Sequence, residues 1–184
     1  MSTQALVSIE QFEQMLRESD VDSEFDNGEI VPLPSPVPIH SVIQGAIFAS
    51  LHRYLESKLR GGVLLEIDFR LSEQQVRRPD IAFLSTEKWS ALDMNTSPVH
   101  GVPDLVVEVA SPTDRLLDME HKVRQYLTCG VQEVWVVIWT ERCVYVHREE
   151  NVRRLKNSDV LATPLLAGFE LPLSQVFQSP ATNR

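Results

Sequence analysis

The chain has 184 residues, 43% hydrophobic and 23% charged, which excludes a disordered chain and suffices for one domain with a real core. Its 26 acidic and 17 basic side chains leave a net charge of −9. That disfavours a general nucleic-acid coat or an anionic-membrane binder, although a bound metal ion can still supply positive charge locally. The two cysteines, Cys129 and Cys143, form no CxxC pair and no disulfide framework, as in a reducing compartment. Met1-Ser2-Thr3-Gln4 lacks the basic and apolar regions of a secretory signal, and no run approaches 18 apolar residues. A cytoplasmic protein without a membrane span is expected, as one domain over 1–184 with a core from about 7 to 177.

Taken in chain order, Ser8-Ile9-Glu10-Gln11 reads as a capping box that opens a helix reaching about Arg17. Asn27-Gly28, inside Phe25-Asp26-Asn27-Gly28-Glu29-Ile30, predicts a β-hairpin. Pro32, Pro34, Pro36 and Pro38 impose an extended loop. A helix follows over 40–60, with Val42, Ile43, Ala46, Ile47, Leu51, Tyr54, Leu55 and Leu59 at helical spacing and Gly61-Gly62 as its stop. Alternation over 63–71 predicts one strand, with Leu65, Ile67 and Phe69 on one face. A second strand is predicted over 80–84, and the stretch 85–101 reads as a loop with one helical turn.

The near-continuous apolar run over 103–110 predicts a strand buried on both faces. Ser111-Pro112 reads as an N-cap with proline at the first helical position. The helix it opens turns Leu116, Met119, Val123, Tyr126 and Leu127 inward and stops near Gly130. Strands over 133–139 and 143–148 follow, then a short strand near 169–171 and an apolar anchor at Val176-Phe177. This order implies an α/β fold (an α+β sandwich) built on a mixed β-sheet flanked by helices.

Chemistry is suggested by carboxylates that interrupt apolar strands. Glu108 stands inside Leu105-Val106-Val107-Glu108-Val109-Ala110, where an unpaired carboxylate is costly and is therefore paired, protonated or metal-bound. Asp80 and Asp104 each open a strand directly after a proline, where an aspartate often serves only to satisfy turn amides. Asp104 and Glu108 lie on one face but roughly 13 Å apart, too far for one ion. Asp80 and Glu108 converge if their strands are antiparallel neighbours, and two such oxygen ligands suit Mg²⁺ or Mn²⁺. Lys122, on the following helix, leans back toward Glu108 and lies about one helical turn from its level. Arg78 is a competing structural partner for Glu108, and His40 suits a cap or packing role as well as a site role. The five histidines show no zinc spacing, and there is no glycine-rich phosphate loop or GxSxG elbow. Trp89, Trp135 and Trp139 read as core or interface residues.

From about Val7 to Phe177 the sequence resembles the large bacterial Uma-type family of restriction-endonuclease-like proteins, within the PD-(D/E)XK nuclease superfamily. The resemblance rests on an ordered set. It comprises Glu24 with Asn27-Gly28-Glu29-Ile30-Val31, Ser35-Pro36, His40, Arg78-Pro79-Asp80 and Pro103-Asp104-Leu105-Val106-Val107-Glu108-Val109. It continues with Ser111-Pro112, Lys122, Tyr126, Gly130-Val131, Glu133-Val134-Trp135 and Leu166-Ala167-Gly168-Phe169-Glu170-Leu171.

The resemblance implies a restriction-endonuclease-like fold and Mg²⁺-dependent cleavage of phosphodiesters. Asp80, Glu108 and the Val109 carbonyl would hold the metal, Lys122 would orient or activate water, and Glu24 would complete the catalytic set. The superfamily pattern places a lysine two residues after the acid, where this chain has Ala110, so Lys122 would be a relocated lysine. The family's acid after the tryptophan strand is also absent from Val136-Val137-Ile138-Trp139. The expected function is a metal-dependent DNA endonuclease, with RNA as the other candidate substrate. A homodimer would supply two sites for two strands. The alternative is a decayed nuclease fold serving as a nucleic-acid-binding or structural homodimer.

Overall fold

The computed structural model describes residues 6–18, 22–58, 60–111, 115–149 and 151–178. The chain opens with α1 (Ile9–Glu18), and its capping box is formed: Ser8 N–H donates to Gln11 Oε1 (2.8 Å) and Gln11 N–H to Ser8 Oγ (3.2 Å). β1 (Ser23–Asp26) and β2 (Glu29–Pro32) pair across Asn27 and Gly28, both at positive φ, as the Asn-Gly turn predicts. α2 (Pro38–Lys58) starts on a proline, whose missing N–H has no helical partner to lose in the first turn. The glycine stop is required sterically: Gly61 has φ +67°, and a Cβ there would stand 2.1 Å from the Leu84 carbonyl oxygen.

The predicted strand over 63–71 is instead two strands in different sheets, β3 (Gly62–Leu65) and β4 (Phe69–Ser72). Glu66 adopts φ 51°, and this left-handed residue turns the chain out of one sheet and into the other. β5 (Gln75–Arg77) then returns beside β4, and β6 (Ile81–Leu84) re-enters the sheet that holds β3. The stretch after β6 carries one short helix, α3 (Thr86–Ser90), and a two-residue strand, β7 (Val99–His100). β8 (Leu105–Val109) is buried throughout.

α4 (Leu116–Thr128) has Arg115 as its N-cap, so Ser111 does not cap it; Pro112 lies outside the described residues. With the helix beginning at 116, Leu116 is on its first turn and is exposed rather than inward. Met119, Val123, Tyr126 and Leu127 do pack inward. β9 (Glu133–Ile138) leads through a 3-10 turn (Trp139–Glu141) to β10 (Cys143–Arg148) and β11 (Asn151–Lys156). β12 (Val160–Leu161) and β13 (Leu171–Pro172) pair with each other before α5 (Leu173–Val176). The strands β5, β7, β11 and β12 escape pattern reading because three are too short to alternate and β11 is an exposed polar edge.

The main sheet runs β11-β10-β9-β8-β6-β3 and is mixed: β8 and β9 are parallel, the other pairs antiparallel. The smaller sheet runs β2-β1-β5-β4-β7. Alternation sorts the main sheet's side chains. Ile81, Phe83, Leu105, Val107, Trp135 and Val137 pack on the face covered by α2 and the C-terminal segment. Ala82, Leu84, Val106, Val134 and Val136 pack on the other face with Val123 and Tyr126 of α4. Glu108 shares the parity of Val106, and this directs its carboxylate toward α4.

Candidate active site

β6 and β8 are antiparallel neighbours with Ile81 opposite Val107. One residue further out, the same register sets Asp80 opposite Glu108, as expected if the two strands are antiparallel neighbours. The Val109 N–H donates to Asp80 Oδ2 (2.6 Å), and His40 Nε2, from the first turns of α2, lies 3.1 Å from the same oxygen. Gln44, one turn further along α2, donates to the Asp80 carbonyl (3.0 Å) and to Glu66 (2.9 Å). Asp80 is thus held by its own sheet on one side and by α2 on the other.

Glu108 is only 5% exposed. Its Oε1 accepts from the Tyr126 hydroxyl (2.6 Å) and pairs with Lys122 Nζ (3.0 Å). Lys122 and Tyr126 are one helical turn apart on α4, which brings both to the same carboxylate oxygen. Burial pushes the Glu108 carboxyl up to about 7; Lys122 and Tyr126 counter it, while the negative charges of Asp80 and Glu24 add to it. Burial alone would favour a neutral Lys122, but Glu108 and Glu24 outweigh it, and its pKa is raised: the group is an ammonium. Tyr126, raised by burial and by the same two acids, stays a protonated donor.

Glu24, on β1, comes from the smaller sheet. Its Oε1 meets Lys122 Nζ at 2.9 Å and accepts the Arg78 N–H at 2.9 Å, while Oε2 accepts from Arg77 Nη1 at 2.9 Å. Burial raises the Glu24 carboxyl, but Lys122 and Arg77 outweigh it and the result is a lowered pKa. Arg77, 4% exposed, also bonds Asp26 (2.7 Å) and Gln125. Gln125 in turn donates to Asp26 (2.8 Å), which His121 also approaches (3.1 Å).

Lys122 thus joins Glu24 and Glu108, Asp80 stands opposite Glu108 in register, and all four line a cavity of about 510 Å³ with Val109 and His40. Its outer wall is the proline loop between β2 and α2, and its floor is the end of β8. Asp104 is not part of it. Its carboxylate accepts from Ser85 N–H (2.7 Å) and Gln132 (2.9 Å) and pairs with Lys88 (2.7 Å) at the other end of β8. Arg78 is engaged by Asp68 (2.9 Å) and Asp22 and not by Glu108. Trp135 is in the core and donates to the buried Glu133.

Arg77, Gln125 and Asp26 are not among the site residues expected from the sequence, and Tyr126 is expected there as an inward helix residue and as a mark of the family, without a role at Glu108. The i, i+4 spacing of Lys122 and Tyr126 was the one local signal available; Arg77 has none, because its partners are set by sheet pairing.

As a holder of a metal ion, the site offers the carboxylates of Asp80 and Glu108 and the Val109 carbonyl. Among the described residues no group of three or more His, Cys, Asp or Glu is disposed to hold an ion together. Mg²⁺ is usually bound through one or two carboxylates and keeps several waters, so an all-oxygen pair of this kind fits it. Burial raises Glu108 most, and the negative charges of Asp80 and Glu24 add to it; a cation between the carboxylates would relieve both.

A mixed sheet with helices on both faces is the α+β, restriction-endonuclease-like class of fold. The family model described as "Uma2: Putative restriction endonuclease" matches residues 9–174, and the chain belongs to this family. The fold is similar to the crystal structure of "a putative nuclease belonging to DUF820" from Anabaena variabilis ATCC 29413. The TM-score is 0.79 at 20% identity, over 93% of this chain and 97% of that one. No curated protein matches the chain. No helix among the described residues is long and apolar enough to cross a membrane.

Proposed function

We propose that this protein is a metal-dependent endonuclease that hydrolyses phosphodiester bonds of DNA. The observation that carries this reading is the meeting of Asp80 and Glu108, from adjacent antiparallel strands, beside the Lys122 ammonium in one cavity. Asp80, Glu108 and the Val109 carbonyl would hold Mg²⁺ or Mn²⁺. When bound, the ion lowers the pKa of water and stabilises charge on the reacting phosphate.

This chain's own residues do the rest. His40 and the Val109 N–H orient Asp80 through one oxygen. Tyr126 and Lys122 engage Glu108 only through Oε1 and leave Oε2 out of those contacts. Lys122, kept cationic by two carboxylates, orients the attacking water and the phosphate electrostatically and is not a proton acceptor. It serves as the lysine that the superfamily pattern places at Ala110. Glu24 anchors Lys122 from the smaller sheet. A homodimer in the cytoplasm, with one site for each strand, completes the proposal.

The test is divalent-dependent nicking of plasmid DNA by purified protein, with RNA and single-stranded DNA in parallel. Wild type nicks and Glu108→Ala does not; equal activity in both would assign the cleavage to a contaminant. A wild type without any response to Mg²⁺ or Mn²⁺ would favour the non-catalytic homodimer.

A further inference from the structure

Lys122 is not paired with one acid but shared between two: 2.9 Å to Glu24 Oε1 and 3.0 Å to Glu108 Oε1. The two acids differ in their surroundings. Glu108 has a tyrosine hydroxyl and the negative charge of Asp80 beside it. Glu24 has a guanidinium and a backbone N–H on it, and Arg77 is itself fixed at Asp26 and Gln125. A lysine paired with Glu108 alone would compete with any cation for that carboxylate. A second, rigidly held acceptor lets the ammonium stay in the site while Glu108 turns to a metal ion.

We infer that Arg77 is a positioning residue that acts through Glu24: it holds this carboxylate as the alternative seat of Lys122, and so frees Glu108 for a divalent cation. This rests on the metal-site reading above and adds to it a role for the smaller sheet. β1 and β5, which belong to that sheet, supply both members of the device, and α4 carries the lysine between them and β8. Arg77 is buried with two carboxylates on its guanidinium although it does not reach Glu108 itself. Its charge is spent on the acid that competes for Lys122.

The experiment is Mn²⁺ binding to EDTA-stripped full-length protein, followed by titration calorimetry and by the thermal shift at each ion concentration. Glu24→Gln removes the charge of the alternative seat while keeping its shape, which weakens its hold on the Lys122 ammonium, and the Mn²⁺ dissociation constant is expected to rise about tenfold. Arg77→Met is expected to raise it similarly, and Arg77→Lys to recover part of the loss. The decisive comparison is Glu24→Gln against the charge-balanced double variant Glu24→Gln/Arg77→Met. If Arg77 works through Glu24, the two bind Mn²⁺ equally, whereas a general structural role makes the double variant worse.

This comparison stands even if Arg77→Met alone fails to fold. A further loss in the double variant, or an unchanged constant in Glu24→Gln, overturns the inference. A wild type that binds no Mn²⁺ overturns the metal-site reading instead, so the two failures are separable.

Discussion

Removing the acid at the centre of the site should make the protein more stable. Glu108 carries a carboxyl raised from an ordinary 4.5 to about 7, chiefly by burial, with Asp80 and Glu24 adding to it against Lys122 and Tyr126. The folded state therefore binds this proton more tightly than the unfolded chain does. Between about pH 4.5 and 7 the unfolded chain has lost the proton while the folded protein retains it, so stability from this group falls as pH rises. Integrated over that window, the loss is at most about 3 kcal/mol.

Glu108→Gln mimics the protonated carboxyl: its amide oxygen still accepts from Tyr126 and Lys122, and the buried negative charge at this position is gone. In urea unfolding with EDTA present, the variant should match wild type near pH 4.5 and exceed it by about 1–3 kcal/mol at pH 8. Comparison of the two proteins at each pH cancels the titrations of groups remote from Glu108. A variant less stable than wild type at pH 8, or a difference that does not change with pH, would refute the claim that Glu108 is an electrostatic burden on the apo fold.

Saturating Mg²⁺ or Mn²⁺ should stabilise wild type by about 2.7 kcal/mol at a hundredfold excess over its dissociation constant, and Asp80→Ala should abolish that gain; thermal melts with and without the ion check it. Tyr126→Phe removes the hydroxyl donor from Glu108, and urea unfolding should show a loss of about 1–2 kcal/mol at pH 8. Asp104→Asn should lower stability by a similar amount through its Ser85 and Lys88 contacts. The same variant should keep the full ion-dependent thermal shift and nicking rate, and loss of either would return Asp104 to the site.

Much of the site was legible because strand periodicity and chain direction constrain it. Glu108 stands out as an acid inside an apolar run, and the antiparallel pairing of β6 with β8 converts its place near a strand end into proximity to Asp80. The lean of helical side chains pointed Lys122 toward Glu108, and the two meet at 3.0 Å, but the count of helix rise ran from Ser111 whereas α4 begins at Leu116. Asp104 was also expected to satisfy turn amides after its proline; it accepts instead from the Ser85 N–H, 19 residues away, and pairs with Lys88.

Local pattern thus determined the α+β class, the buried strand that carries Glu108, the hairpin turn and the capped first helix, because each depends on neighbours within a few residues. Tertiary structure alone decided that the chain between β3 and β4 leaves one sheet for another at Glu66, and that Glu24 and Arg77 arrive at Lys122 from the smaller sheet. Those contacts join positions about 50 to 100 residues apart, and their partners are chosen by sheet register and by the need to neutralise buried charge, neither of which leaves a local mark in the sequence.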